Sequence, residues 1–258
     1  MTAIEFQLRN GIDDAVDASS LRRSCLVGLS IDEIQQQPIQ LSGRRVPLGE
    51  VFDVHVDHGV DDRLVVRGDL ENVHGLAASH DQGDFIIEGS VGDYCAAGFS
   101  GGSLRVEGNA GNFVGGALAG KRTGMSGGLV RILGSVGSHA GHRMRRGMML
   151  IEQDAGAALA ASMVAGTIVL GGRHATNLGC EMKRGSILLC GRQAPEAFGG
   201  SARYSGRLPF AADFLRLYRD PPVTDLIQLL LASRSVLRVR ADISSGGQGE
   251  ILFPAESR

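Results

Sequence analysis

A repeat of 19 residues dominates the middle of the chain and constrains its fold more than any other feature. Six short apolar segments each follow a glycine. These leading glycines are Gly83, Gly102, Gly128, Gly147, Gly166 and Gly185. Their spacings are 19, 26, 19, 19 and 19 residues, so one repeat is longer than the others by seven. A fixed period in this range is typical of repeat proteins, in which each unit packs only against its neighbours.

Each repeat carries an apolar residue two and four positions after its leading glycine. The first set is Phe85, Leu104, Val130, Met149, Ile168 and Ile187, and the second is Ile87, Val106, Ile132, Ile151, Leu170 and Leu189. A spacing of two puts side chains on one face of a β-strand, so each segment is predicted to be a strand with one buried face. A large apolar residue also stands three positions before the next leading glycine, as Phe99, Met125, Met144, Met163 and Met182. Its regular return predicts a ladder of soft side chains inside the fold.

One repeat cannot bury its own apolar face, whereas stacked copies can. The predicted fold class is therefore mainly β: a right-handed single-stranded parallel β-helix (solenoid) of about seven 19-residue rungs with terminal α/β caps. Leu64 and Val66 stand ahead of Gly68 in the same pattern, which starts the solenoid near residue 60. A flexible glycine-rich segment is disfavoured because linkers lack ordered apolar positions. A left-handed hexapeptide solenoid is disfavoured because 19 is not a multiple of six.

The flanks of the repeats are predicted to form caps. The predicted domains are an N-terminal strand and helix cap over residues 1–59, the β-helix with its G-xx-G-xxx-G repeats over 60–205, and a C-terminal helical and strand cap over 206–258. Residues 4–9 alternate and predict an edge strand, and residues 51–56 alternate as well. Ser30 to Glu33 fits a capping box that opens a short helix, which Pro38 ends.

After Gly191 the repeat stops. Residues 208–219 have apolar positions near helical spacing, and residues 223–232 predict a second helix. Residues 236–239 and 251–253 are predicted strands on either side of a glycine-rich turn. Solenoid ends expose unpaired strands and an apolar cross-section, so these terminal elements are predicted to cover them.

Composition excludes several classes of protein. A formal net charge of −2 over 258 residues argues against a nucleic-acid binder. No run of eighteen apolar residues predicts a membrane span, and the first residues lack the build of a signal peptide, so a cytoplasmic location is expected. Cys25, Cys95, Cys180 and Cys190 show neither a C-x-x-C pair nor zinc-ligand spacing, and they are predicted to be reduced, mostly buried thiols.

Basic residues cluster in and after the longer repeat. We call the following residues the basic strip: Lys121 and Arg122 in the insertion, His139, His142, Arg143, Arg145 and Arg146 in the next turn, and Lys183 and Arg184 two repeats later. Stacking would place the last two basic pairs on one face, about 10 Å apart. The functional interpretation is contact with a polyanionic ligand or an acidic partner, and the alternative is a solvated outer face.

No catalytic residues are predicted in this chain. No nucleophile elbow, P-loop or dinucleotide fingerprint stands in the right context, and Asp81, Asp84 and Asp93 form no stacked carboxylate set. His139 and His142 lie three residues apart on a turn without a third fixed ligand, so no metal site is predicted. The basic strip is the only candidate for cofactor or partner contact.

The glycine pattern resembles that of a known family. Gly108-Asn-Ala-Gly111-Asn-Phe-Val-Gly115 and Gly134-Ser-Val-Gly137-Ser-His-Ala-Gly141 are similar to the repeats of the glutamate synthase C-terminal domain, a right-handed β-helix without catalytic residues of its own. The whole chain resembles more closely the C subunit of formylmethanofuran dehydrogenase. The resemblance covers roughly residues 25–205.

Two versions of that family set the functional expectations. The archaeal version belongs to a molybdenum or tungsten enzyme that reduces CO2 onto methanofuran, and the bacterial version to the formyltransferase/hydrolase complex of methylotrophs. That bacterial complex serves tetrahydromethanopterin-linked one-carbon metabolism, in which formaldehyde is oxidised to formate. The Arg-rich, Cys-poor sequence without a ferredoxin motif favours the bacterial version.

In either version, the resemblance implies a non-catalytic scaffold within an enzyme complex. Its partners would be an amidohydrolase-like A subunit, a B subunit and a formyltransferase D subunit. It implies no cofactor bound by this chain. The complex would use a methanofuran-type carrier with a polyglutamate tail and tetrahydromethanopterin, with the metal in one of the partners. The competing interpretation is a β-helix domain that supports a glutamate-synthase-like amidotransferase.

Overall fold

The structure is a computed structural model that describes residues 2–58, 62–191, 205–210, 226–228, 230 and 236–254. The strands are β1 (Thr2–Leu8), β2 (Val16–Asp17), β3 (Pro38–Leu41), β4 (Arg44–Pro47), β5 (Phe52–His58), β6 (Arg63–Arg67), β7 (Val73–His74), β8 (Asp84–Glu88), β9 (Ser103–Val106), β10 (Ser126–Ile132), β11 (Arg146–Ile151), β12 (Thr167–Leu170), β13 (Ser186–Leu189), β14 (Ser205–Phe210), β15 (Val236–Arg240) and β16 (Glu250–Pro254). The helices are α1 (Arg23–Leu26), α2 (Ile31–Gln35), α3 (Leu48–Val51) and a 3₁₀ turn at Ile243–Ser245. Residues 226–228 and 230 are also helical.

The repeats pair side by side in one parallel sheet. Its order runs β13-β12-β11-β10-β9-β8-β6, so neighbours in the sheet are neighbours in the sequence. The apolar residue four positions after each leading glycine lies opposite the equivalent residue of the next strand, from Ile87 beside Val106 to Leu170 beside Leu189. The chain is therefore mainly β, and the register inferred from the leading glycines is the register of the sheet.

Two further ladders join the same repeats away from this sheet. One is a row of single parallel bridges through Leu70, Val91, Ala110, Val136, Ala155 and His174. The other, here called the turn ladder, consists of backbone hydrogen bonds whose N–H groups point alternately to the next repeat and to the previous one. The N–H of Tyr94 donates forward to the Asn112 carbonyl, whereas the N–H of Ala96 donates back to Leu76. Every repeat is thus tied to the next at three places around its length.

The close approach of neighbouring repeats explains why one of the leading positions, Gly128, is a glycine. Gly128 has a φ of +76°, and a Cβ there would lie 2.6 Å from the carbonyl oxygen of Gly102 and 2.7 Å from the ring of Phe99. That same carbonyl accepts the N–H of Leu129 at 3.0 Å, so it cannot withdraw without loss of a ladder bond. A side chain is excluded here both by the backbone conformation and by the neighbouring repeat.

The interior is apolar, as the spacing predicts. All twelve residues at the two strand positions belong to one buried cluster. The ladder of large side chains from Phe99 to Met182 is fully buried in the same cluster. His80 holds the equivalent position one repeat earlier, where it lies 5.3 Å from Phe99 in a stacked arrangement. The predicted interior ladder is confirmed, with a histidine at its start.

The expectation of one buried face per strand holds for β8 and β9 but is wrong for β11 to β13. In those three strands, three consecutive residues are buried. Leu150, Val169 and Leu188 point away from the main core into a second cluster that includes Ile227 and Leu230. Strands covered on both sides carry continuous apolar runs rather than alternation, which is the pattern of these three segments.

The N-terminal strand is not an edge strand, contrary to the sequence prediction. β1 lies between β6, to which it is parallel, and β5, to which it is antiparallel. β5 therefore covers that end of the sheet. The short helix is confirmed, since Ser30 accepts the Glu33 N–H and Glu33 accepts the Ser30 N–H in a full capping box.

At the other end, β16 extends the parallel stack. Its Glu250 pairs with Ser186 of β13, and β15 and β14 follow in antiparallel order. The strands predicted at 236–239 and 251–253 are confirmed.

The helix predicted over 208–219 is wrong at its start, because residues 208–210 belong to β14, where they pair with β15. Residues 211–219 lie outside the described part. Of the helix predicted over 223–232, residues 226–228 and 230 are helical and the others are not described.

Candidate interaction surface

The turn ladder carries a row of residues in the left-handed backbone conformation. Eleven positions after successive leading glycines stand Tyr94, Phe113, His139, Ala158 and Asn177, with φ values of 60°, 60°, 63°, 60° and 62°. Glycine or asparagine is the usual occupant of such a position, and a bulky side chain there is uncommon. Because the N–H groups along this wall alternate in direction, every repeat needs the left-handed conformation at this position, whichever residue stands there.

Three of these residues form a stack of rings. The rings of Tyr94 and Phe113 lie 5.0 Å apart and 5° from parallel, and those of Phe113 and His139 lie 4.8 Å apart and 14° from parallel. We call these three residues the aromatic ladder. Tyr94 is 37% exposed, and the other two are half-buried. Both faces of the Phe113 ring are covered by its neighbours.

His142 closes one side of the aromatic ladder. Its ring meets Phe113 edge-on at 5.9 Å and His139 edge-on at 6.2 Å. Burial lowers the pKa of His142, and the charges of Arg143 and His139 lower it further. Its Nδ1 is buried without a hydrogen-bond partner. Burial and the charge of Arg143 therefore favour the neutral form of this side chain, against the opposing charge of Glu181.

The insertion that carries Lys121 and Arg122 rejoins the wall beside Arg143. The inserted loop leaves the wall after Gly116, which accepts the N–H of Gly98, and it returns at Gly124, which donates to the Arg143 carbonyl at 3.0 Å. Lys121, Arg122 and Arg143 are all exposed. The structure thus brings the insertion and the following turn together, as the clustering in the sequence suggested.

The remaining pairs of the basic strip follow the same wall towards the sheet. Arg145 donates its N–H to the Met125 carbonyl, and Lys183 donates to Met163 in the same way two repeats later. The repeat between them carries no charge at these positions. Arg184 reaches Gln248, whose side-chain oxygen accepts from its Nε at 3.0 Å. These backbone positions share one row, with an uncharged repeat between the two pairs.

The cations of the basic strip differ from arginines elsewhere in their ionic partners. Arg67 binds Glu5 at 2.6 Å and Glu88 at 2.7 Å, and Arg131 binds Glu152. By contrast, within the described residues no ion pair joins a carboxylate to any of Lys121, Arg122, Arg143, Arg145, Arg146 and Lys183. These six cations are therefore not held in ion pairs by the described carboxylates.

Sequence reasoning missed two members of this site, Tyr94 and Phe113. The signal was available, because both stand at the repeat position of His139 and differ from the small residues found there in other repeats. Counting positions outside the strand and the glycines would have found them.

The predicted cysteines are only partly as expected. All four are free, but Cys25 is exposed and Cys180 is half-buried, while Cys95 and Cys190 are buried. Burial raises the pKa of both buried thiols to about 12. Among the described residues no group of three His, Cys, Asp or Glu could hold a metal ion, and no described helix is long and apolar enough to cross a membrane.

Comparison with known proteins identifies relatives of the chain, although no family model matches it. The C subunit of the tungsten-containing formylmethanofuran dehydrogenase 2 of Methanothermobacter marburgensis is 29% identical over 86 residues, or 32% of each chain. The C subunit of the formyltransferase/hydrolase complex of Methylorubrum extorquens is 33% identical over 86 residues, which is 33% of this chain and 32% of the relative. The matched stretch thus spans about a third of the length of these curated relatives.

The structural likeness is more extensive. A chain in the crystal structure of the formyltransferase/hydrolase complex of Methylorubrum extorquens with methylofuran matches with a TM-score of 0.73 and 28% identity. The match covers 98% of this chain and 100% of that one. The chain is thus similar in sequence to the C subunits of both complexes and in structure to a chain of the formyltransferase/hydrolase complex. The structural match covers more of the chain than residues 25–205, the range over which a resemblance was expected from the sequence.

Proposed function

We propose that this chain is a scaffold subunit within a formyltransferase/hydrolase complex in tetrahydromethanopterin-linked one-carbon metabolism. The observation that carries the proposal is the structural match over 98% of this chain and all of the solved chain, which comes from such a complex. Its proposed partners are an amidohydrolase-like A subunit, a B subunit and a formyltransferase D subunit. The carrier of the solved complex is methylofuran, and a carrier of that type is proposed here.

The proposed architecture is a closed right-handed β-helix. The parallel sheet, the row of bridges and the turn ladder would be three walls of one coil, because each joins the same consecutive repeats. The hand follows the rule for parallel crossovers. Seven strands from β6 to β13 would give about seven rungs. The proposed domain limits remain 1–59, 60–205 and 206–258.

The scaffold role rests on what fills the coil. The positions that face inwards are aliphatic, aromatic or thioether side chains packed into one continuous cluster. Function is therefore assigned to the outer walls, and the reacting groups and the metal are assigned to the partners. Tetrahydromethanopterin and the methanofuran-type carrier would be used by the complex and not held by residues of this chain's interior.

The decisive experiment isolates the complex from its native cells through a tag on this chain. Mass spectrometry should recover the A, B and D subunits, and the complex should release formate from the formylated carrier while the isolated chain releases none. Formate release by the isolated chain would refute the scaffold role. A flavin-bearing or glutaminase partner would instead identify an amidotransferase domain.

A second candidate follows from the relatives of the tungsten enzyme. The 29% identity to the C subunit of formylmethanofuran dehydrogenase 2 gives a redox complex similar support over the matched third of the chain. Metal analysis of the purified complex separates the two, since the redox enzyme would contain molybdenum or tungsten. The structural match over 98% of this chain to a chain of the formyltransferase/hydrolase complex favours the first candidate.

For the basic strip we propose contact with the polyglutamate tail of the carrier. Its support is the positive charge at Arg145, Arg146 and Lys183, which form no ion pair with a described carboxylate, since a polyanion is attracted by such a row. Reversal to glutamate at these three residues should weaken binding of the carrier to the complex by at least tenfold at low salt. The matched control is Arg44→Glu with Arg45→Glu, which changes two exposed cations on β4. Equal carrier affinity in both variants would dismiss this role.

A further inference from the structure

The aromatic ladder is not explained by the fold alone. The turn ladder needs a left-handed residue at each repeat, but Gly75, Ala158 and Asn177 meet that need without a large ring. Tyr94 and Phe113 hold the same conformation with bulky side chains that favour it least. A conformational cost accepted at two neighbouring repeats indicates that the rings serve something outside the turn.

Position and exposure indicate what that is. The rings stand on the outer wall, and Tyr94 is one of the few large apolar side chains of the described chain that are exposed. Because the faces of Phe113 are covered by Tyr94 and His139, no planar ligand can stack on it. The aromatic ladder presents ring edges over three repeats, a length of about 10 Å. Such a surface suits contact with a protein better than a small molecule, which takes a concave site.

The charges around the rings define the partner. Arg143 follows His139 by four residues, and the insertion that carries Lys121 and Arg122 rejoins the wall at Gly124, which is hydrogen-bonded to Arg143. All three cations are exposed and form no ion pair with a described carboxylate. Protein interfaces combine an aromatic centre with a polar rim, and Tyr and Arg are frequent at their energetic centres. A cationic rim is complementary to an acidic surface, which it also steers into place.

We propose that the aromatic ladder is the centre of a docking surface for an acidic face of a partner protein, with Lys121, Arg122 and Arg143 as its rim. The identity of that partner rests on the proposed function, since it would belong to the same complex. His142 supports the centre from the side through its edge-on contacts. Its neutral state avoids a further buried charge under the interface.

The test replaces the rings without disturbing the turn. Asparagine occupies the equivalent position at Asn177 with a φ of 62°, so the double variant Tyr94→Asn with Phe113→Asn keeps a residue suited to this conformation. Full-length tagged chain, wild type or variant, is expressed in native cells, and the chains that co-purify are quantified. The affinity of the purified chain for the recovered partner is then titrated at low and high salt.

We expect the double variant to bind at least thirtyfold more weakly, with a thermal midpoint equal to or above that of the wild type. Tyr94→Phe, which keeps the ring, should bind within threefold of the wild type. Lys121→Glu with Arg122→Glu should slow association and reduce the salt dependence. A double variant that binds normally but unfolds at lower temperature would overturn the proposal, since the rings would then serve folding only.

The outcomes also separate this proposal from the proposed function. If the wild type recovers an acidic partner from another complex, the proposed function fails, while loss of that partner in the double variant still supports the docking surface. If the A, B and D subunits are recovered equally by wild type and double variant, the docking surface fails and the proposed function stands. Recovery of no partner by the wild type overturns both.

Discussion

Replacement of one leading glycine tests the close stacking of repeats most directly. Gly128→Ala would add a methyl group 2.6 Å from the Gly102 carbonyl oxygen at a φ of +76°. Gly120 is a matched control, because its φ is +74° and nothing lies within 4 Å of a Cβ placed there. The two alanine variants therefore share the backbone strain and differ only in the neighbouring repeat.

The expected magnitudes follow from those two terms. Left-handed strain for an L-residue costs roughly 1–2 kcal/mol, which both variants carry. Overpacking adds about 1–3 kcal/mol to Gly128→Ala alone, since the Gly102 carbonyl is fixed by its hydrogen bond to Leu129. The free energy of unfolding should thus fall by about 2–5 kcal/mol in Gly128→Ala and by about 1–2 kcal/mol in Gly120→Ala.

The assay is urea unfolding followed by far-ultraviolet circular dichroism, because the chain has no tryptophan. Both variants are compared with the wild type under one buffer, and the shift in midpoint is converted with a shared slope. A thermal scan should agree, with a lowering of about 2–4 °C for each kcal/mol in a chain of this size. Equal destabilisation by the two substitutions would refute the claim that the neighbouring repeat excludes a side chain.

Three further predictions concern the interior. Burial lowers the pKa of His80 in the native chain, so below about pH 6.5 the unfolded chain takes up a proton at this residue more readily, and the free energy of unfolding falls. His80→Met should make this fall less steep, and an unchanged slope in urea titrations would contradict the prediction. Met144→Ala should lower the free energy of unfolding by about 2–5 kcal/mol, because it leaves a cavity in the interior ladder. A loss of less than about 1 kcal/mol would contradict this and show that the site collapses around the smaller side chain. A thiol reagent should label Cys25 at once but Cys95 only on unfolding, because burial raises the pKa of Cys95 to about 12; labelling of both at one rate would show that the interior is open.

The stacked repeats could be predicted in detail because the sequence repeats its own constraints. Position, register and burial of residues such as Val130 and Met144 follow from the period of 19 and the strand period of two. A single strand would have left the direction of pairing open. Six copies, with four of their five spacings equal to 19 residues, leave a parallel register as the arrangement in which equivalent residues meet.

The ends could not be predicted in the same way, because their pairing depends on distant residues. β1 alternates like an edge strand, yet it lies between β5 and β6, which begin only at Phe52 and Arg63, far along the chain. Residues 208–210 begin a stretch of helical spacing but pair with β15 as part of a strand, since tertiary contacts override a weak local preference. The second buried face of β12 was visible only as a continuous apolar run.

Only the charged half of the candidate site could be predicted from the sequence. Cations attract attention in a sequence by their charge, so Lys121 and Arg143 were found. Phe113 was hidden because aromatic residues are usually assigned to the core, and only the left-handed turn places it on the outer wall.

In a stack of this kind, function can be located by asking where the sequence departs from its own repeat. Backbone bonds between repeats and a shared interior fix the inward positions, so substitutions there are restricted to residues of similar size and polarity. The outward positions of the turn ladder are bound only by their backbone conformation, which glycine, alanine or asparagine satisfy. Rings at Tyr94 and Phe113, beside an insertion of seven residues that breaks an otherwise constant period, are therefore departures that stacking does not require. Because the insertion rejoins the turn ladder at Arg143, four residues after the ring of His139, that wall and not the interior is where this chain is expected to meet a partner.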